Sequence, residues 1–189
     1  MFKFTTLKET DFRKIFALKE HANLLRGTSD INFTEQTRLV MPHVSYILGL
    51  SSLKLEEEPK PRMNGTQIIE ATLDGFKSIF NLYSLSDSQD ISQMTTDEKY
   101  LQMFEHAFDN ILHLDVDEKD YEIRSISVPA LHVEALWLHS ISHDNNDFFV
   151  PIRSLELFED NKIYNKNYFF NNLKKAVINY DMDDNLIGG

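Results

Sequence analysis

The run TQIIEATLDGFKSIFNLYS at residues 66–84 decides how the front half of the chain is built. Ile69, Leu73, Phe76, Phe80 and Tyr83 recur at intervals of three and four, the spacing that lines one face of a helix. Just before it, residues 54–65 hold two prolines, three consecutive acids and a closing Asn-Gly, and so read as a surface linker. Further upstream, Thr34 to Leu50 carries Leu39, Val40, Val44, Ile47 and Leu48 around Pro42, a helix with a kink or two short helices meeting there. Thr6 to Leu25 opens with a capping box, Thr6 to Glu9, and sets Phe12, Ile15, Phe16, Lys19, Ala22 and Leu25 on one stripe before Gly27 ends it.

Downstream, residues 84–94 are polar and loop-like, and Thr95 to Glu98 is a second capping box. The helix that follows buries Leu101, Phe104, Phe108, Ile111 and Leu112. Past residue 115 the period falls from 3.6 to 2. Tyr121 to Val128 and Leu131 to Ile141 alternate as strands do, Ser142 to Asp147 has turn composition, and Phe148 to Ile152 returns, with Pro151 confining it to an edge or to its own end. Asn165 to Tyr180 is a closing helix, and residues 181–189 fray. The expected fold is α+β in one domain, residues 1–189. It has about four N-terminal helices packed with a small antiparallel sheet of about three strands at 121–152 and a closing helix, with Trp137 at their junction.

Composition narrows the function classes. With 42% apolar residues, 14 Phe and 7 Tyr, the chain has material for a core. The absence of cysteine excludes disulfides, thiolate metal sites and cysteine nucleophiles. The charged N-terminus lacks the apolar run of a secretory signal, and no stretch approaches the ~20 apolar residues of a spanning helix, so a cytoplasmic location is expected. Net charge is −11, and residues 87–189 hold 20 Asp/Glu against 8 Lys/Arg. A field of that sign disfavours nucleic acid and anionic membrane and attracts a basic protein partner.

The densest polar constellation is His132-Val-Glu134, followed by His139 and His143. On a strand His132 and Glu134 share one face and His139 takes the other, so His132, Glu134 and His143 are the set that a divalent metal would use, and all four are the set for acid–base chemistry. The plainer reading is the solvent face of a half-exposed sheet. His106 and His113, seven apart, are too distant for one ion, while single histidines such as His21 and His43 more often meet a carbonyl than a ligand. No glycine-rich phosphate loop and no Gly-x-Ser-x-Gly occurs, so no cofactor is expected. The resulting expectation is a non-catalytic protein-binding module, an inhibitor, immunity-type protein or adaptor with an acidic C-terminal half. The alternative is a metal-dependent or acid–base enzyme centred on His132, Glu134, His139 and His143.

Overall fold

A computed structural model describes residues 2–26, 37–83, 92–143, 146–159 and 162–186. Its element order is α1 (Glu9–Arg26), β1 (Arg38–Ile47), α2 (Leu50–Leu53), β2 (Arg62–Thr72), β3 (Gly75–Tyr83), β4 (Ser92–Thr95), α3 (Glu98–Leu112), β5 (Tyr121–Val128), β6 (Val133–Ser140), β7 (Phe148–Arg153), β8 (Tyr164–Asn165) and α4 (Lys166–Leu186). The strands form one mixed sheet in the order β4-β3-β2-β1-β5-β6-β7-β8. The α+β reading with four N-terminal helices and a three-stranded sheet is therefore corrected. Only α1 and α3 survive from that group as long helices, and the described residues between them are mostly strand. The contacts gather into two compact units, one of Met1–Lys3, Ser45–Met63 and His106–Gly189, the other of Phe4–Val44 and Asn64–Glu105.

In the second unit the run 66–83 is a hairpin. Strands β2 and β3 pair antiparallel, with Ile68 opposite Phe80, Ile69 opposite Ile79 and Thr72 opposite Gly75. Leu73 and Asp74 form the turn; Thr72 Oγ1 accepts the Asp74 N–H at 3.2 Å, and Gly75 takes φ of +124°, which only glycine adopts without strain. The helical spacing misleads because Gln67 to Glu70 and Ser78 to Phe80 are buried without a break, so neither strand alternates. Leu73, placed on the helix face by its spacing, is 98% exposed at the turn.

Gly65 lets the same pair close, since a Cβ there would stand 2.1 Å from the Leu82 carbonyl oxygen. On α1, Ile15 is fully buried against Ile68, Phe80 and Leu82, while Phe12 and Phe16 are exposed. The helix begins two residues later than its capping box implied. Lys8 N–H donates to Asp11 Oδ2 at 2.8 Å, half of a box shifted along the chain. Lys19 does not merely edge the stripe; its ammonium pairs with the buried Glu70 carboxylate, which also accepts from Ser78 Oγ at 2.7 Å.

Over residues 38–47 strand β1 replaces the kinked helix expected at 34–50, and residues 34–36 lie outside the described residues. Pro42 is tolerated because Met41 before it takes φ of +50°, an irregularity in the strand, and the Pro42 carbonyl accepts from Thr5 N–H at 2.9 Å. Its two buried positions are polar, His43 and Ser45, the reverse of the usual pattern. His43 Nδ1 meets the Met41 carbonyl at 2.7 Å, as expected of a lone histidine, and Nε2 meets the Gln67 side-chain amide at 2.8 Å, which continues to Asn81 at 2.8 Å.

In the first unit, β5, β6 and β7 form an antiparallel meander with Arg124 opposite Trp137 and Trp137 opposite Phe149. This is the strand group the alternation predicted, and α4 covers it through Phe169, Phe170, Leu173 and Val177. Phe149 stacks on Phe169 at 4.3 Å and on Trp137 at 5.7 Å. Strand β8 pairs only with Phe148 and Phe149, so Pro151 lies where β7 has no partner on that side. Lys3 forms a parallel bridge to Glu122.

The linker expected at 54–65 is irregular through Pro61, but Arg62 to Gly65 belong to β2. The helix closing the fold runs on to Leu186, and residues 187–189 of the tail expected to fray lie outside the described residues, as do 84–91 of the polar loop. Among the described residues no helix is long and apolar enough to cross a membrane.

Burial dominates His43 and pushes its proton affinity below the ordinary imidazole range, with the bonds to Met41 and Gln67 opposing in part. The unfolded chain then binds a proton more readily than the folded one, so stability is complete above the unfolded pKa of about 6.5 and declines as pH falls below it. The unfolding free energy from urea titrations should fall between about pH 6.5 and pH 5, by at most about 1.4 kcal/mol per pH unit from this group alone. In His43→Gln the slope should be shallower.

Candidate functional site

The four residues singled out at 132–143 do not converge. His132 lies in the left-handed region at φ of +51°, capping the 3-10 turn Pro129–Leu131, and is exposed outside the strand. Glu134 and His139 are five strand positions apart, about 16 Å along β6, and on opposite faces. Glu134 lies opposite Ser127 and Arg153, and His139 opposite Glu122. His143 is exposed in the following turn, where its Nδ1 meets Ser142 Oγ at 2.9 Å; Asp144 lies outside the described residues. Among the described residues no group of three His, Asp or Glu could hold a metal ion. His106 and His113 are exposed, with His113 Nδ1 at 2.7 Å from the Asp109 carbonyl at the end of α3.

His139 enters a polar cluster organised by a residue that composition assigned only to a turn. Asp147 is 2% exposed. Its Oδ2 accepts the Trp137 indole N–H at 2.8 Å, its Oδ1 accepts the Ser140 N–H at 2.8 Å, and His139 Nδ1 lies 3.2 Å away. Its own carbonyl accepts the Lys166 N–H at 3.0 Å, joining the turn to the start of α4. The signal that could have found it was Trp137 itself, since a buried indole needs one acceptor and the β6–β7 turn is the nearest source.

Trp137 is packed on several sides. Arg124 lies over its ring at 5.0 Å and over Tyr46 at 5.3 Å, held by Glu122, whose Oε2 accepts from Arg124 Nη2 at 2.6 Å. The His139 ring meets the Trp137 edge at 5.3 Å. Burial, with the Asp147 and Asp120 carboxylates nearby, pushes the Tyr121 hydroxyl above the usual phenol range.

Beside this cluster is a cavity of about 320 Å³, lined by Trp137, His139, Asp147, Lys166 and Phe170 and by the segment Glu58–Pro61. The Lys166 ammonium pairs there with Glu58. With Nδ1 engaged by Asp147, Nε2 is the ring nitrogen His139 has left to offer a bound molecule. The arrangement can orient a histidine for proton transfer, but the lining holds no hydroxyl or thiol nucleophile.

If Asp147 anchors Trp137 and the turn, its removal strands two buried donors. Asp147→Ala should lower stability by about 2–5 kcal/mol, and Trp137→Ala by about 3–5 kcal/mol, each read from urea unfolding. A near-neutral result for either would show that the cluster is ornamental to the fold.

No family model and no curated protein matches this chain. Among solved structures, one titled "N-terminal coiled-coil dimer of C.elegans SAS-6, crystal form B" is similar at 16% identity over 80% of this chain and 94% of that chain. The TM-score is 0.26, and the likeness carries no argument about fold or function.

Proposed function

We propose that the chain is a non-catalytic binding module that engages a basic protein surface through its acidic C-terminal half, as an inhibitor, an immunity-type protein or an adaptor does. The observation that carries this reading is the connection between α3 and β5. Asp115, Asp117 and Asp120 are exposed there and Glu118 is half-exposed, with Asp109 exposed in the last turns of α3 just before it. Such spacing keeps neighbouring carboxylates within about a Debye length, ~8 Å at physiological salt, so their fields add.

The backbone of that stretch is pinned. Leu114 N–H donates to the Ile111 carbonyl at 3.1 Å, Asp120 N–H to the Asp117 carbonyl at 3.0 Å, and Ile141 N–H to the Asp120 carbonyl at 2.8 Å. A display already ordered loses less entropy when a partner docks. Charge of this sign speeds encounter with a basic surface and selects against acidic ones.

A second reading, an acid–base enzyme, is favoured by one observation, the His139–Asp147 pair at the cavity. It ranks lower because both Asp147 oxygens already serve Trp137 and Ser140, which is the work of a structural anchor.

Affinity capture from the native host, comparing the wild type with D115N/D117N/D120N, tests the binding role. At low salt the wild type should recover a basic partner that is lost at about 300 mM salt, and the variant should hold it at least about tenfold more weakly. Recovery of no basic partner, or equal recovery by both proteins, would contradict the proposal.

A further inference from the structure

We propose that the cavity beside Trp137 binds a small carboxylate with a flat apolar body, and that the Glu58 side chain occupies the place of that carboxylate when no ligand is present. The first observation is an asymmetry in one ion pair. The Lys166 side chain is 13% exposed, whereas Glu58, its partner, is 60% exposed. An ammonium so far removed from water needs a counter-charge, and here a side chain that is itself mostly in solvent supplies it.

Glu58 comes from a segment strapped to α4 at one end. Lys174 Nζ donates to the carbonyls of Leu55 at 2.9 Å, Glu56 at 3.3 Å and Glu57 at 2.8 Å. That attachment is to backbone and does not depend on the Glu58 carboxylate. The strap can therefore stay in place while Glu58 yields Lys166 to another carboxylate.

The rest of the lining fits such a ligand. Trp137 and Phe170 supply aromatic surface, and Pro59 and Pro61 supply rigid apolar surface on the strap. Lys60 adds a second cation, its ammonium 3.8 Å from an exposed Glu57 carboxylate. His139 Nε2 supplies a neutral or cationic contact. Of the two lining carboxylates, Glu58 is the one displaced and mostly in solvent, and Asp147 is already covered by the indole N–H, the Ser140 N–H and the imidazole. At about 320 Å³ the cavity is at the small end of ligand sites, which run from about 300 to 1,000 Å³. That volume suits a one- or two-ring acid.

The cavity is separate from the acidic stretch at 109–120, so the two proposals fail independently. D115N/D117N/D120N should leave ligand binding here unchanged.

Trp137 is the chain's single tryptophan, and its emission, excited at about 295 nm, reports this cavity alone. Benzoate should change that emission saturably, and benzamide, which has the same ring without the charge, should bind at least about tenfold more weakly. Glu58→Gln should tighten benzoate about three- to tenfold, since the resident carboxylate no longer competes for the binding-competent state. Lys166→Met should abolish saturation. Should Lys166→Met fail to fold, as judged by circular dichroism, the benzamide and Glu58→Gln comparisons decide the matter. No saturable change in either the wild type or Glu58→Gln, equal affinity for benzamide, or weaker binding in Glu58→Gln would overturn the proposal.

Discussion

The Asp147 carboxylate is the constraint on which the first unit turns. It sits 2% exposed at the β6–β7 turn and serves the indole of Trp137, the backbone of Ser140 and the ring of His139. A charge so buried is stable only because each oxygen is satisfied. Its position fixes the rotamer of Trp137, and Trp137 in turn gives Arg124 and Tyr46 a surface to lie against and Phe149 a ring to stack on. From Phe149 the aromatic contacts continue to Phe169, Phe170 and Phe158. The same carboxylate also orients His139 at the mouth of the cavity, so one polar anchor organises both the core and the candidate site.

The other unit solves a comparable problem with neutral groups and one ion pair. His43, Gln67 and Asn81 form a hydrogen-bonded row across β1, β2 and β3, and Lys19 neutralises Glu70 beside it. Among the described residues no buried side-chain nitrogen or oxygen lacks a partner. Polar groups are thus part of the interior on both sides of the chain's division, and they are the reason its pattern of apolar residues is a poor guide in places.

That explains which parts of the fold were legible. Strand β5 alternates over most of its length and α3 carries an amphipathic stripe, so both could be read from spacing, whereas β6 and β7, buried without a break at 135–138 and 149–152, were marked out by the turn composition between them. Strands β2 and β3 bury Gln67 to Glu70 and Ser78 to Phe80 without a break, polar residues among them, so no alternation is left to read. Within it, Asp74-Gly75 was the hairpin signal that outweighed the coincidental spacing of Ile69, Leu73 and Phe76. Strand β1 was concealed because its buried residues are polar and because a left-handed Met41 accommodates Pro42. Of the groups lining the cavity, His139 was singled out by the sequence as a candidate and Trp137 only as a core residue at the junction of sheet and helices. Asp147, Lys166 and Glu58 were not, since they reach the cavity from a turn, a helix start and a linker whose proximity only pairing in three dimensions creates.

The most direct measurement follows from there being a single indole. In a proton–nitrogen NMR spectrum the Trp137 side-chain N–H should give one resonance whose exchange with solvent is slowed to the rate of core amides, and Asp147→Asn should shift that resonance and speed its exchange. An indole proton that exchanges as fast as in an unfolded peptide, or one indifferent to Asp147→Asn, would contradict the account at its base.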